Sequence, residues 1–327
     1  GKKELTVRNP RGRTVVVGKP GLRAVSVVIR KSAQGRDEAD AASLLDRLEV
    51  EIGSRGGEVF VETHEDGSSN RGVWSFVKGE RRTASVDYTI EVPHGFSVAA
   101  STASGEVRVS NIAGAASVSA ASGDVDIRAV GGDAEITIAS GDVNAVEIGG
   151  DMEVTATSGN VVIDNVKGKL ELHGTSGDFK VTRIGRGADI RLTSGDLILE
   201  GCSGNLTFDA ASGDARITEV MGSVEASSSS GDIEVLIVPI ADRTFELSTS
   251  SGDIDVFYVA VKDYGFQLDI QTASGSIEGD LPIKVSRVDR RRLQGVVGSG
   301  AARVDIETAS GDVTILERSE SASKRDR

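Results

Sequence analysis

The sequence predicts an all-β protein, a parallel β-solenoid with coils of 18 residues. The first observation is a repeat, because Ser-Gly-Asp or a close variant recurs at an interval of 18 residues. Its serines are Ser104, Ser122, Ser140, Ser158, Ser176, Ser194, Ser212 and Ser230. The second is a glycine ten residues after most of these serines, which gives each unit two turns. The third is an alternation of apolar and polar residues between the turns, typical of strands with one buried face.

The unit that begins at Ser122 shows this pattern clearly. Its apolar residues are Val125, Ile127, Val130, Ala134, Ile136 and Ile138. A unit of this size cannot bury its apolar face alone, whereas stacked units cover one another because each strand pairs with its counterpart one coil away. The composition agrees, since 40 glycines suit the turns and only 5 prolines interrupt strand pairing. Parallel crossovers are usually right-handed, so we expect a right-handed coil.

Residues 1–92 are predicted to form irregular coils and a cap at the N-terminal end of the array. Apolar residues at helical spacing predict one short helix over residues 37–48, with Asp37 as its N-cap. We expect this helix to cover the terminal edge, which would otherwise add strands from other molecules. Trp74 and Phe76 alternate along the chain and are expected to fill the wider cap, with a ligand-facing aromatic pair as the alternative.

The regular Ser-Gly-Asp solenoid is expected over residues 93–316, with an excursion at 279–302 and a charged tail at 317–327. Three later copies of the repeat begin at Ser251, Ser274 and Ser310. The last interval is 36 residues, which equals two periods. We therefore interpret it as a place where one copy has been lost or disguised.

One aspartate occupies the same position in most copies of the repeat. The column includes Asp124, Asp142, Asp178, Asp196, Asp214 and Asp232. Stacking would place neighbouring carboxylates about 5 Å apart, so something must offset their repulsion. We predict that each carboxylate accepts hydrogen bonds from the N–H groups of its own turn. The alternative is a column of Ca²⁺ sites, but one carboxylate per turn falls short of the roughly 6–8 oxygens that Ca²⁺ takes. We expect no cofactor.

The charge distribution limits the partners. A net charge of −13 argues against nucleic acid and anionic membranes as partners. No apolar run reaches the length of a membrane span, so direct membrane insertion of this segment is not expected. The excursion at 279–302 carries a basic cluster, which is a candidate contact for an anionic glycan or a partner's carboxylates, or else a solvated loop. The cluster consists of Lys284, Arg287, Arg290, Arg291 and Arg292.

No catalytic constellation stands out from the sequence. The three histidines, His64, His94 and His173, are isolated, and Cys202 occupies an inward position where it is expected to act as a small core residue. A carbohydrate-active enzyme would need clustered acids in a cleft, for which Asp280 and Asp289 are weak candidates. The sequence therefore predicts a protein that is not an enzyme.

Several motif copies resemble the bacterial putative adhesin family, a domain of unknown function built from β-strand repeats. The resemblance is carried by residues 121–125, 175–179 and 309–313, and by Val92-Pro93-His94-Gly95 at the entry to the array. It implies an exported or membrane-tethered bacterial protein without known catalysis, with any signal or anchor outside this chain. We expect a cell-envelope scaffold or adhesin-like module that presents a long regular β face to a glycan or protein. A self-assembling structural solenoid, a Ca²⁺-binding β-roll and a carbohydrate-active enzyme on a β-helix remain alternatives.

Overall fold

A computed structural model describes residues 3–65, 82–261 and 263–318, which form thirty strands and one helix. The chain divides into two compact units, residues 1–150 and residues 151–327. The strands of the first unit are β1 (Glu4–Arg11), β2 (Thr14–Lys19), β3 (Ser26–Gln34), β4 (Leu48–Arg55), β5 (Glu58–Glu65), β6 (Thr83–Pro93), β7 (Ser97–Ser104), β8 (Val107–Ile112), β9 (Ala116–Ser122), β10 (Val125–Val130), β11 (Ala134–Ser140) and β12 (Val143–Ile148). Its helix is α1 (Glu38–Asp46).

The second unit continues the same alternation of short strands. Its strands are β13 (Met152–Ser158), β14 (Val161–Val166), β15 (Lys169–Ser176), β16 (Phe179–Ile184), β17 (Gly187–Ser194), β18 (Leu197–Cys202), β19 (Asn205–Ser212), β20 (Ala215–Val220), β21 (Val224–Ser230), β22 (Ile233–Ile237), β23 (Thr244–Ser251), β24 (Ile254–Tyr258), β25 (Phe266–Ser274), β26 (Ile277–Gly279), β27 (Ile283–Asp289), β28 (Arg292–Val297), β29 (Ala302–Ser310) and β30 (Val313–Glu317).

Each unit is a β-solenoid whose two sheets enclose a narrow aliphatic core. In the first unit, sheet A has the order β4-β5-β1-β7-β9-β11 and sheet B the order β3-β6-β2-β8-β10-β12. In the second unit, sheet C has the order β13-β15-β17-β19-β21-β23-β29-β25-β28-β27 and sheet D the order β14-β16-β18-β20-β22-β24-β30-β26. Val125 is in register with Val143, and Val161 with Phe179, so equivalent residues of successive coils stack and are buried. The predicted parallel β-solenoid is therefore confirmed, while its right-handedness stays a prediction.

The glycine of each Ser-Gly-Asp turn is required by the backbone and by the turn stacked next to it. Gly195 has a φ of +118°, and a Cβ built there would lie 1.8 Å from the carbonyl oxygen of Gly177, one coil earlier. A side chain would thus be strained and would collide with backbone. Glycine stacked on glycine lets successive turns approach at the spacing of the strand ladder.

A second corner recurs seven residues after the serine, where one residue per regular coil adopts a left-handed conformation. These residues are Asn111, Ala129, Glu147, Asn165, Arg183, Gly201 and Glu219. The left-handed residue breaks the alternation of side chains along the strand. For this reason Val125, Ile127 and Val130 all face the core although their spacing changes from two residues to three.

The terminal coils of the chain do not lie at the ends of their stacks. The coil β1–β2, first in the sequence, lies between β5–β6 on one side and β7–β8 on the other. The coil β29–β30, last in the sequence, lies between β23–β24 and β25–β26. Ser310 therefore stacks on Ser251, and Ser274 stacks on Ser310. The hairpin β27–β28 fills the 36-residue interval between Ser274 and Ser310, and the last coil is stacked out of sequence order. That a repeat copy was lost or disguised there stays a prediction.

Antiparallel strands close both stacks. In the first unit β4 pairs with β5 and β3 pairs with β6, and α1 lies against β3, β4 and β6 with the Asp37 carboxylate accepting a hydrogen bond from the N–H of Asp40. In the second unit the excursion forms the hairpin β27–β28, so it is a sheet extension and not a solvated loop. Trp74, Phe76 and residues 319–327 of the expected tail lie outside the described residues.

Candidate functional site

The aspartate column is a ladder of hydrogen bonds between coils. The carboxylate of Asp196 accepts a hydrogen bond from the backbone N–H of Asp214 at 2.9 Å, and the carboxylate of Asp214 accepts one from Asp232 at 2.9 Å. Asp124 and Asp142 are related in the same way at 3.0 Å. The acceptor is thus offered to the next coil, which corrects the prediction that each carboxylate serves its own turn.

This ladder needs an oxygen atom but not a charge. Asn160 replaces aspartate in one coil, and its side-chain oxygen accepts the N–H of Asp178 at 3.0 Å. Hydrogen bonds to backbone N–H groups stabilise a carboxylate and offset part of its repulsion from the carboxylates above and below. Among the residues that the structure describes, no three His, Cys, Asp or Glu side chains are grouped to hold a metal ion. The Ca²⁺ column stays an untested alternative.

The basic cluster divides into one internal arginine and several edge residues. Arg292 donates to both carboxylate oxygens of Asp269, at 3.2 and 2.7 Å, and Gln294 donates to the same carboxylate at 2.7 Å. Burial alone would raise the pKa of Asp269, but these hydrogen bonds outweigh it and hold the pKa below its usual value. Arg292 is therefore engaged with the fold.

The other members of the cluster lie on β27 and in the turn that follows it. Lys284 and Arg287 are exposed on β27, and Arg290 and Arg291 form the turn to β28. Arg287 lies 3.6 Å from Asp289, whereas Lys284 and Arg290 form no ion pair with any described residue. The edge of sheet C is consequently cationic, and its role as a partner contact stays a prediction.

The outer face of sheet C carries a groove of about 500 Å³, which we call the acidic groove. Its polar lining consists of Asp209, Glu225, Ser227, Glu246, Ser248, Asp269, Gln271, Arg303, Asp305 and Glu307. Strand register places Glu225 beside Glu246, Glu246 beside Asp305, and Asp305 beside Asp269, so four carboxylates form one row across neighbouring strands. The lining holds six carboxylates and a single guanidinium group.

Part of this charge is balanced within the groove. The side chain of Arg303 forms a salt bridge with Asp305, and this hydrogen bond raises the pKa of the Arg303 guanidinium. Glu225, Glu246 and Glu307 form no salt bridge with any described residue. These three side chains are exposed, so their carboxylates are available to a ligand. The groove could not be predicted from the sequence, because Asp305 reaches its row only through the out-of-order stacking of β29.

Each of the three histidines considered for catalysis lies beside a backbone carbonyl or a carboxylate. The Nδ1 atom of His94 lies 2.7 Å from the carbonyl oxygen of Asn111, and Nε2 of His173 lies 3.1 Å from a carboxylate oxygen of Glu171. His64 lies beside a carboxylate of its own sheet at 3.7 Å. None of these pairs contains a nucleophile held by a base, so they offer no acyl-transfer geometry.

The candidate acids and the cysteine are also separated from one another. Asp280 follows β26 of sheet D, while Asp289 ends β27 of sheet C. Cys202 is buried in the core as predicted, and burial raises the pKa of its thiol, which keeps the thiol protonated. Within the part of the chain that the structure describes, no helix is both long and apolar enough to cross a bilayer.

Two comparisons with known proteins find a match, and the family model agrees with the repeat architecture. The model of the Toastrack DUF4097 family matches residues 23–209, 149–265 and 186–316. A solved structure, "Crystal structure of a putative cell adhesion protein from Clostridium sporogenes ATCC 15579", aligns with 97% of this chain and 93% of its own, at 9% identity and a TM-score of 0.24. No match is found among curated proteins.

Proposed function

The chain belongs to the Toastrack DUF4097 family, and from this premise we propose that it is a non-enzymatic scaffold of the bacterial cell envelope that binds a cationic segment of a partner protein in the acidic groove. The observation that supports this most is the excess of carboxylates on a single concave face, where six line the groove and two of them, Asp269 and Asp305, are paired with Arg292 and Arg303. Such a concentration of one charge attracts an oppositely charged partner and orients it.

The acidic groove is built on a rigid support. The strands β21, β23, β29 and β25 that hold its row of carboxylates are each hydrogen-bonded to neighbours on both sides. Buried residues such as Phe245, Val304 and Ile270 alternate with the groove residues and fix the strands from below. Side chains on such a face lose little backbone freedom on binding, which favours affinity.

A protein partner fits the lining better than a glycan does. Among the described residues that line the groove none is aromatic, and the apolar ones are Ala226, Leu247 and Ile306. Pockets for small ligands are usually lined by apolar and aromatic groups with a few polar ones, whereas this lining is dominated by carboxylates. Lysine or arginine side chains of a partner would pair with Glu225, Glu246 and Glu307.

The envelope location is part of the proposal and is supported by the resemblance to exported adhesin-like domains. The absence of an enzymatic role is supported by the scattered histidines and acids described above. Under this proposal the ladder of Ser-Gly-Asp turns is purely structural, and the outward side chains of sheet C carry the recognition.

The proposal is tested by measuring the binding of a short lysine-and-serine peptide to the full chain at several salt concentrations. The double variant Glu225→Gln and Glu246→Gln should weaken binding about tenfold or more, since two charge-assisted contacts are lost. Glu153→Gln is the matched control, because Glu153 is exposed on the same face but outside the groove. Equal losses in the control, no peptide binding at low salt, or binding of glycans alone on a glycan array would overturn the proposal.

A further inference from the structure

We propose that copies of this chain associate head to tail, with strand β27 of one copy pairing with strand β4 of the next. Both are terminal strands of their sheets, and among the described residues β27 pairs only with β28 and β4 only with β5. Each therefore presents backbone N–H and C=O groups that are a template for a further strand. In β4 the carbonyl of Leu48 already accepts a hydrogen bond from the Lys31 side chain and α1 lies against the strand, so the template is the remainder of β4. The surfaces involved do not overlap with the acidic groove.

On the face of sheet C that is turned towards the core, β27 exposes apolar side chains. Register places Val285 opposite Gly295 and Val288 opposite Leu293, and their partners in β25, Leu268 and Ile270, face the core. Val285 is nevertheless 50% exposed and Val288 69% exposed. The reason is that the hairpin extends sheet C by two strands beyond β26, the last strand of sheet D.

A β-bulge gives β27 its two-sided character. The register shifts between Val285 and Arg287, so Ser286 is an extra residue in the pairing. Without the shift Val285 and Arg287 would face the same side, whereas with it Val285 and Val288 share the core face and Lys284 and Arg287 share the outer face. Bulges re-aim side chains in this way, and here the result is one apolar and one cationic side.

Strand β4 has the complementary arrangement. Ile52 lies opposite the buried Val61 on the core face of sheet A, yet it is 50% exposed. The outer face of β4 carries Glu49 and Glu51, both exposed. Pairing β27 with β4 would place the valines against Ile52 and the basic side chains against the two glutamates.

The charges select this pairing over the symmetric ones. Residues 283–292 contain five basic side chains and one acidic side chain, a net charge of +4, while residues 36–55 contain six acidic and three basic, a net charge of −3. Two β27 edges or two β4 edges would bring like charges together, which destabilises cross-strand pairs. A β27 edge and a β4 edge attract each other. The charges that prevent two identical edges from pairing therefore favour the pairing of the two different edges.

The edges of the other sheet carry the reverse polarity. Glu278 and Asp280 lie at the exposed β26 edge, whereas Arg30 and Lys31 lie on β3. The two strands by which sheet C extends beyond β26 would keep β26 and β3 about 14 Å apart, three strand spacings. This separation exceeds the Debye length of about 8 Å at physiological salt, so these charges are largely screened there and would orient the approaching copy mainly at low salt.

A second copy is a better occupant than a foreign strand, because both halves of the complementary pair are present on one chain. The interface joins two different surfaces, so each added copy leaves one β27 edge and one β4 edge free. Association of this kind does not close by itself and produces chains of increasing length.

The test is sedimentation velocity on the full chain over a wide concentration range. The wild type should show a weight-average mass that continues to rise beyond that of a dimer. Arg287→Glu and Glu51→Arg should each lower the association constant at least about tenfold. An equimolar mixture of the two variants should regain wild-type association, because every contact in an alternating chain again joins unlike charges; this also shows that both variants are folded.

The matched control is Lys180→Glu, which reverses an exposed basic residue of β16 away from the edges and should leave association unchanged. A monomer at all concentrations would overturn the proposal, as would growth that stops at a dimer, which would indicate a symmetric interface. An equal effect of Lys180→Glu, or failure of the mixture to restore association, would also overturn it.

Discussion

Replacing Gly195 by alanine should destabilise the second unit far more than the same replacement at Gly201, although both glycines belong to one coil and both have positive φ. At Gly195 the new Cβ would lie 1.8 Å from the carbonyl oxygen of Gly177, and the other close atoms are also backbone. At Gly201 the φ is +86°, and the nearest atom is the backbone nitrogen of Arg183 at 3.6 Å. The comparison separates stacking from conformational strain.

The magnitudes follow from these distances. At Gly201 only the left-handed conformation of an alanine has a cost, about 1 kcal/mol, and alanine already occupies the equivalent position at residue 129. At Gly195 the strain is about 1–3 kcal/mol, and separating the two turns until the Cβ–oxygen distance exceeds 3.0 Å adds overpacking of about 1–3 kcal/mol. Together these contributions predict a loss of about 2–6 kcal/mol at Gly195.

The measurement is urea unfolding followed by circular dichroism, with hydrogen exchange to locate the change. Stacked repeats interact mainly with their nearest neighbours, so exchange should rise first in β16, β18 and β20, which hold the altered turn and the two beside it. The reasoning is refuted when Gly195→Ala loses no more stability than Gly201→Ala, because the stacked glycines would then not limit the approach of the coils.

Further predictions concern the left-handed corner, the aspartate ladder and a buried tyrosine. Ala129→Gly should stabilise the protein by about 1 kcal/mol in thermal melts, because glycine adopts the left-handed conformation without strain; a lower melting temperature would contradict this. Asp214→Asn should preserve stability, since an amide oxygen still accepts the N–H of Asp232, whereas Asp214→Ala should cost about 1 kcal/mol in urea unfolding. The melting temperature should be the same with Ca²⁺ and with a chelator, and a rise of many degrees with Ca²⁺ would support the metal column instead. Burial, followed by the hydrogen bond and charge of Glu317, raises the pKa of Tyr258 from 10.0 to about 12. The folded state favours the protonated tyrosine, and the stability that this contributes is complete below pH 10 and lost as the pH rises through about 12. The free energy of unfolding should therefore fall by about 2 kcal/mol over this range, and the fall should be absent in Tyr258→Phe.

The sequence predicts those features that repeat locally. The 18-residue interval, the buried positions of a unit such as Val125 and Ile127, the short helix and the inward Cys202 all follow from side-chain patterns within one or two coils. The structure confirms these features because stacking makes every coil bury the same offsets.

Features that depend on which coil lies next to which could not be read from the pattern. The strand that contains Val304 and Ile306 would match the repeat equally well on the far side of β25, in sequence order, or between β23 and β25. Its alternation of apolar and polar residues therefore does not reveal its neighbours. The acidic groove depends on that choice, since Asp305 joins the row of Glu246 only by this insertion. The direction of the Asp196 hydrogen bond was also hidden, because a turn and its neighbour offer equivalent N–H groups.

The position of the last coil sets the order in which the second unit can be completed. Proteins often begin to fold from the N-terminus while the rest of the chain is still being made. Here β25 and β26 emerge before β29 and β30, yet their place is on the far side of that later coil. Coil-by-coil growth must therefore halt after β24 until residues 302–317 are available, so β25 and β26 reach their final places only after a coil made later has been inserted.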